Sequence, residues 1–224
     1  MEGKLIVIEG TDCSGKETQG MLLETRLKDL RYKCVRLRFP MYDTPTGKII
    51  GGSYLGKKEI GPSFFQEGIR NVDPKIACLY YAADRKYNIQ KVLDYIKEGY
   101  FVILERYITS SLAYQGSKIE DKDERFNMYQ WIDKLEYWLL GLPKPDMTIF
   151  LHVPYEYAQE LVKNRCSNEV KDEHELRSTE RCYVELSQLY NWDYVNCIKN
   201  NRLRSIEDIN NDILNIVLNK KNKY

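Results

Sequence analysis

The sequence predicts an α/β fold in which one doubly wound sheet of five parallel strands is covered by helices on both faces. Short apolar runs alternate along the chain with stretches whose apolar residues recur at helical spacing, as expected for strands joined by crossover helices. The run at 100–104 is apolar throughout, which is typical of a strand buried on both faces. Because such sheets bind ligands at the carboxyl ends of their strands, we expect the functional residues there.

Five runs are predicted as strands, and turn residues separate them from the helices. Pro40 ends the second strand, and Gly99 stands before the third. The predicted strands cover residues 5–8, 31–39, 100–104, 146–153 and 194–198.

Helices are predicted between the strands. The clearest begins at Pro74, whose fixed φ suits a first turn, with Asp73 as its N-cap. Gly141 and Pro143 end the helix before the fourth strand. The predicted helices cover residues 19–30, 48–55, 74–95, 110–115, 128–140, 155–163, 181–190 and 206–218.

The composition is that of an ordinary soluble protein. The 224 residues are 43% hydrophobic and 30% charged, and we expect one domain over 1–224. A net charge of +1 indicates no general attraction to nucleic acid or membranes, and no apolar run approaches the roughly 18 residues of a membrane span. The six cysteines form no C-x-x-C pairs, and the two histidines have no metal-ligand spacing. We therefore expect a cytoplasmic protein with reduced thiols.

The stretch GTDCSGKET at residues 10–18 directly follows the first predicted strand. It fits the phosphate-binding pattern G-x-x-x-x-G-K-[ST] at every position but the last. Glycines let backbone N–H groups point inward, the helix N-terminus adds partial positive charge, and Lys16 can reach the outer phosphates. A phosphate site is therefore predicted, against the alternative of a plain turn with a chance lysine.

Glu17 stands where the pattern has a hydroxyl residue that meets Mg²⁺. Three interpretations stay open. The carboxylate holds the metal directly or through a water, it repels phosphates, or it merely occupies a first turn, where acids suit the helix dipole.

Three further groups of residues are expected near the same edge of the sheet. Tyr81 and Arg85 share a helix face and suit a stacked heterocycle; the alternative is a core tyrosine with a surface arginine. Glu105 and Arg106 follow the third strand, either as functional groups or as a structural ion pair. The charged segment 165–177 is either a solvated loop or a flap that closes over phosphates.

Four segments together resemble thymidylate kinase. They are FP at 39–40, YYAADR at 80–85, ERYITSSLAYQ at 105–115 and LPKPDMTIFL at 142–151. The resemblance covers most of the chain and is closest to a bacterial branch that carries NCxKxxxLRSIEDI, here at 196–209. It implies a P-loop nucleoside monophosphate kinase-like fold with a lid segment. It also implies transfer of the γ-phosphoryl group of ATP to dTMP in dTTP synthesis, with Mg²⁺ as cofactor, by a homodimer.

The resemblance also implies which residues bind the two substrates. ATP would be bound by Gly10, Thr11, Asp12, Cys13, Ser14, Gly15, Lys16, Glu17 and Thr18. The acceptor would be bound by Asp12, Phe39, Tyr42, Tyr81, Arg85, Arg106, Ser110, Ser111 and Gln115. Within that set Asp12 would meet the sugar 3′-hydroxyl, Tyr81 would stack on thymine, and Arg85 would bond the carbonyl edge of the base.

Catalysis is implied for four side chains, Lys16, Glu105, Arg106 and Arg165. Arg106 would hold the acceptor phosphate, and Glu105 would act near the metal and the attacking phosphate. The metal would be held by Glu17 and Glu105.

The lid corresponds to about residues 164–178. Some relatives carry an arginine in the phosphate loop at the position of Cys13, and a thiol cannot supply a fixed positive charge. We therefore expect Arg165 to supply that cation, with Arg177 and Arg181 as further candidates.

Three positions depart from the family pattern and keep two alternatives open. Glu17 replaces a hydroxyl residue, Glu105 replaces an aspartate, and Tyr42 stands where many relatives carry an arginine. Glu105-Arg106 also resembles the Glu-Arg pair of deoxynucleoside kinases, which phosphorylate a nucleoside. The other alternative is a nucleotide-binding module that has lost catalysis through Glu17, although the loop lysine and the arginines argue against it.

Overall fold

The computed structural model of the chain describes residues 3–165 and 173–221, with the backbone alone at 162–165 and 221. Five parallel strands form one sheet in the order β2-β3-β1-β4-β5. The strands are β1 Lys4–Glu9, β2 Cys34–Arg38, β3 Phe101–Glu105, β4 Met147–His152 and β5 Asp193–Asn196. The predicted fold class is confirmed, and each predicted strand overlaps an observed one.

Helices cover both faces of this sheet. They are α1 Lys16–Asp29, α2 Pro45–Ile49, α3 Pro74–Lys97, α4 Ile108–Gly116, α5 Lys122–Asp133, α6 Tyr155–Arg165, α7 Glu173–Leu189 and α8 Ile206–Lys221. π-Helical turns continue α2 at Ile50–Tyr54 and α5 at Lys134–Leu139. No helix within 3–165 and 173–221 is both long enough and apolar enough to cross a membrane. The cysteines that the structure describes are free thiols.

Successive strand residues pack into two different apolar cores. Leu5 and Val7 of β1 belong to a core shared with α3, α4, α5 and α7, whereas Ile6 and Ile8 belong to a core shared with α1, α6 and α8. Because the strand is buried on both faces, its sequence is a continuous apolar run rather than an alternating one.

The central strands end together, and this places the functional loops side by side. Ile8 pairs with Glu105 and Glu9 with Phe150, so β1, β3 and β4 reach the same edge of the sheet. Gly15, with φ of 84°, turns the chain into α1. The loop after β1 and the start of α4 after β3 are therefore neighbours at the carboxyl edge, as predicted.

The chain after residue 196 differs from the prediction. β5 ends at Asn196, and β6 Ile198–Lys199 pairs antiparallel with β7 Arg202–Leu203 in a separate hairpin. Asn200 and Asn201 form its turn with φ of 52° and 56°, a left-handed conformation that asparagine tolerates. The predicted strand at 194–198 was thus wrong in joining residues of two sheets.

Two helices begin at least six residues earlier than predicted. α7 begins at Glu173 rather than near 181, and α5 begins at Lys122 rather than near 128. Their early turns bury polar side chains, namely Ser178 and Thr179 in α7 and Arg125 in α5. A search for apolar periodicity does not detect a helix face that is buried through polar groups.

Candidate active site

The turn after β1 forms a loop that leads directly into α1. Gly10 has φ of 154°, and a Cβ atom there would lie 2.8 Å from the carbonyl oxygen of Leu151. Gly15 has φ of 84°, so both positions favour glycine. Backbone N–H groups and the dipole at the start of α1 favour an anion at this place. The geometry is that predicted for a phosphate-binding loop.

Lys16 is buried and folded back onto this loop. Its Nζ donates to the carbonyl oxygens of Gly10 at 3.0 Å and Thr11 at 2.7 Å. Burial, followed by the charge of Arg106, lowers the pKa of Lys16 to about 8, although nearby acids partly oppose the shift. The ammonium is therefore a poorly solvated cation that an anionic ligand would stabilise.

Arg106 connects the loop after β1 with the end of β3. Its guanidinium forms an ion pair with Asp12, and the side chains of the two residues are 23% and 29% exposed. The guanidinium carbon also lies 5.1 Å from the centroid of the Tyr114 ring. Because the ion pair is only partly buried, solvent or a ligand can reach both of its members.

Glu105 faces Arg36 of β2. Arg36 Nη1 lies 3.5 Å from Glu105 Oε2, and this buried oxygen has no hydrogen-bond partner among the residues that the structure describes. The two residues of the Glu105-Arg106 dipeptide therefore each pair with another residue. Glu105 Oε2 thus lies in an ion pair that lacks hydrogen-bond geometry, so this oxygen can still accept from a donor if Arg36 moves.

Arg85 of α3 is buried and held by several acceptors. Its Nε donates to Glu136 Oε2 at 2.5 Å, and its Nη2 pairs with Glu136 Oε1 and donates to Ser111 Oγ at 2.7 Å. Nη1 donates to the carbonyl oxygen of Tyr107 at 3.4 Å. The alternative of a surface arginine is wrong. These contacts leave one Nη1 hydrogen for a ligand.

The neighbouring side chains of α3 and α4 offer an aromatic ring and an acceptor. Tyr81 is half-buried and meets Tyr54 edge-on, with ring centroids 5.8 Å apart. Gln115 Oε1 is buried and has no hydrogen-bond partner within the described part of the chain. A buried acceptor without a donor is costly, so Gln115 suits a ligand N–H group.

The loop after β2 is fastened to α3. Phe39 is buried, and Tyr42 is half-buried in the same loop. The buried Asp84 accepts from the backbone N–H of Met41 at 3.0 Å and from Thr46 Oγ1 at 2.8 Å. Asp84 therefore fixes the two predicted acceptor-binding residues relative to the helix that carries Tyr81 and Arg85.

A buried carboxylate holds the strand ends together. Glu9 accepts from the backbone N–H of Tyr107 at 3.1 Å, Thr109 Oγ1 at 2.5 Å, Ser110 Oγ at 2.8 Å and Tyr183 Oη at 2.9 Å. These contacts join β1 to the start of α4 and to α7. Ser110, which was predicted to bind the acceptor, thus has its hydroxyl engaged with Glu9.

The predicted lid at 164–178 is described only in part. α6 ends at Arg165, of which the backbone alone is described, and residues 166–172 lie outside the described residues. Arg177 stacks on a tyrosine ring of α6 at 4.4 Å, and Arg181 forms an ion pair at 3.1 Å with the turn before α5. Arg177 and Arg181 are therefore already engaged at the ends of neighbouring helices.

Four charged residues that contact the site were not identified from the sequence. They are Glu9, Arg36, Asp84 and Glu136. Glu9 ends an apolar strand, and Asp84 and Glu136 lie on buried helix faces, so a charge in such a place was the available signal for these three. Arg36 lies in the half-buried strand β2, where a charge is not unusual. The partner of each charged residue could not be predicted from the sequence, because it lies on a different helix or strand.

Comparison with known proteins agrees with this geometry. A family model for thymidylate kinase matches residues 8–213. The chain belongs to the thymidylate kinase family.

Individual relatives of this thymidylate kinase family member align over nearly the whole chain. A probable thymidylate kinase of Pyrococcus horikoshii is 31% identical over 220 residues, covering 97% of each chain. The human thymidylate kinase is 30% identical over 216 residues, covering 94% of this chain and 88% of the relative. A solved thymidylate kinase structure from Candida albicans superposes with a TM-score of 0.71 at 29% identity, covering 100% of this chain and 94% of that one.

The first prediction concerns the protonation of Lys16. A bound phosphate favours the charged form of Lys16, so nucleotide affinity should be highest below pH about 8, the pKa of this lysine. Above that pH the affinity should fall, by at most about tenfold per pH unit for one proton. Calorimetric titration of ADP between pH 7.5 and 9.5 measures this change. Lys16→Arg, whose guanidinium stays charged throughout, serves as the control with a flatter profile. Equal profiles for the two proteins would contradict the assignment.

Proposed function

We propose that the protein transfers the γ-phosphoryl group of ATP to dTMP, giving dTDP and ADP. One observation carries the proposal. The partly exposed Asp12–Arg106 ion pair lies between the phosphate-binding loop and α4, which carries Ser111 and Gln115. A donor phosphate and an acceptor phosphate can therefore meet at one pair of side chains.

The donor half of the site is the loop after β1. Its N–H groups and the start of α1 cradle the ATP phosphates. Lys16 exchanges its bonds to the loop carbonyls for bonds to the outer phosphates, where its charge acts most strongly as negative charge shifts during transfer. The loop residues 10–18 are proposed as the ATP-binding set.

The acceptor half of the site, formed by α3 and α4, binds an uncharged pyrimidine. Tyr81 supplies the stacking surface, the remaining Nη1 hydrogen of Arg85 donates to the thymine carbonyl, and Gln115 Oε1 accepts from the ring N–H. Asp12 meets the sugar 3′-hydroxyl and Arg106 holds the acceptor phosphate. The side walls of the pocket are assigned to Phe39, Tyr42, Ser110 and Ser111.

Mg²⁺ fits the acids beside the loop. Glu105 has one oxygen that faces Arg36 in an ion pair but accepts no hydrogen bond among the described residues, and Glu17 is exposed in the first turn of α1. No cluster of three or more His, Cys, Asp or Glu ligands occurs within 3–165 and 173–221. This suits Mg²⁺, which commonly takes one or two carboxylates and completes its shell with substrate phosphates and waters. Glu105 and Glu17 would hold the ion, and its charge would offset the negative charge of the substrate phosphates.

Two other predictions from the sequence concern the state of the protein in the cell. We propose a homodimer, because Ile76, Leu79 and Tyr87 of α3 expose 45%, 47% and 60% of their surface, and exposed apolar groups on one helix suit a protein interface. The cytoplasmic location stays a prediction.

The proposed reaction is tested by an ADP-release assay with dTMP and, separately, with thymidine as acceptor. We expect ADP release with dTMP that depends on Mg²⁺ and no ADP release with thymidine. In Lys16→Ala we expect no ADP release with or without dTMP. Turnover with thymidine alone would establish the deoxynucleoside kinase alternative. Binding of ATP without turnover on either acceptor would establish the nucleotide-binding module.

A second test addresses Arg165, which ends α6 next to the predicted lid. An arginine that stabilises the transferring phosphoryl group contributes roughly 10³ to 10⁵ in rate, so Arg165→Ala should lower kcat by that order while calorimetric ATP affinity changes little. Arg177→Ala is the control, because Arg177 already stacks on an aromatic ring. A kcat loss below about tenfold in Arg165→Ala would remove Arg165 from this role.

A further inference from the structure

The most deeply buried ion pair of the acceptor half involves a residue with no assigned role. Glu136 lies in the π-helical turn Lys134–Leu139 and is 0% exposed, and Arg85 is 3% exposed at its side chain. Both carboxylate oxygens of Glu136 are bonded to Arg85. Such a two-point contact fixes the plane of the guanidinium as well as cancelling its charge.

The other arginine of the acceptor half is arranged differently. Arg106 and its partner Asp12 are each more than a fifth exposed, so a phosphate can displace or share that acid. Lys16 adds a second cation close enough to Arg106 for the charge of that arginine to lower the pKa of Lys16. Positive charge available to an anion is therefore concentrated at Arg106 and Lys16, whereas Arg85 keeps a single directional donor and no uncompensated charge.

We propose that Glu136 is a specificity-determining residue. It neutralises the charge of Arg85, so that the guanidinium recognises a base carbonyl through one hydrogen bond. By cancelling and orienting the guanidinium, Glu136 admits an uncharged pyrimidine beside Tyr81 and keeps phosphate out of the base pocket. The inference rests on the proposed function, since it assigns the ligand of Arg85 as the thymine ring. Discrimination of this kind is a difference between two affinities, and the rejected ligand is an anion.

The two roles of Glu136 can be separated by two substitutions. Glu136→Gln keeps the size of the side chain and removes its charge, so the pocket gains an uncompensated cation. Glu136→Asp keeps the charge and shortens the side chain, so the guanidinium stays neutralised but loses its fixed plane.

The experiment measures thymidine affinity by calorimetry, with and without inorganic phosphate as competitor. In the wild type, thymidine binds and phosphate does not compete, because phosphate occupies the Arg106 side. In Glu136→Gln we expect thymidine affinity to fall roughly tenfold and phosphate to become a competitor of thymidine. In Glu136→Asp we expect the weaker thymidine affinity without competition by phosphate.

A matched control exists elsewhere in the chain. Glu185 of α7 pairs with the buried Arg125 of α5 through two oxygens, at 2.9 and 3.3 Å. Glu185→Gln therefore also leaves a buried arginine without its full partner and should lower the unfolding temperature. We expect it to bind thymidine like the wild type, with no competition by phosphate.

The outcomes distinguish the inference from the proposed function. Wild-type thymidine affinity and absent phosphate competition in Glu136→Gln would overturn the inference. If the wild type bound neither thymidine nor dTMP, that result would instead overturn the proposed function. If neither Glu136 variant folds, Arg85→Met combined with Glu136→Leu replaces the pair by apolar groups of similar volume. This double variant should fold without binding thymidine, and retained binding would overturn the inference.

Discussion

The arrangement of the site depends on one buried carboxylate at the end of β1. Glu9 is 0% exposed and accepts from Tyr107, Thr109, Ser110 and Tyr183. A buried carboxylate is tolerated only when its oxygens are well satisfied, so these donors and the acid require one another. The donors come from the start of α4 and from α7, and Glu9 directly precedes the phosphate-binding loop. One residue thereby fixes the loop after β1, the start of α4 and the helix α7 relative to each other.

The two arginines near Glu9, namely Arg106 and Arg85, differ in how exposed their acidic partners are. Arg106 has a partner, Asp12, that solvent and substrate can reach, so the pair can open to an anion. Arg85 has a partner, Glu136, that is buried from solvent, so the charge of Arg85 is neutralised within the protein. Under the proposed function, the same chemical pair serves two purposes, phosphate binding at Arg106 and recognition of a neutral group at Arg85. Burial decides between them, because the energy of an ion pair depends on its surroundings.

The sequence predicted the features that local patterns determine. The predicted strands each overlap an observed strand, although the fifth was extended into the hairpin. Glycine spacing predicted the phosphate-binding loop, and Asp73 was correctly placed as an N-cap, accepting from Lys75 N–H at 2.7 Å. The partners of charged residues could not be predicted, because Arg85 and Glu136 are far apart in sequence and meet only through tertiary packing. The early turns of α5 and α7 were missed because most of the side chains that they bury are polar. The hairpin was missed because the turn signal of two asparagines was not recognised.

The most direct test of this organisation is calorimetric titration of the Glu9→Gln variant with ADP and, separately, with dTMP. A neutral amide of the same size cannot accept from all of these donors, so the loop and α4 should lose their fixed relation. We expect both affinities to fall together, each by roughly tenfold or more, and the unfolding temperature to decrease. Wild-type affinity for both ligands in the folded variant would contradict the claim that Glu9 holds the two halves of the site in place.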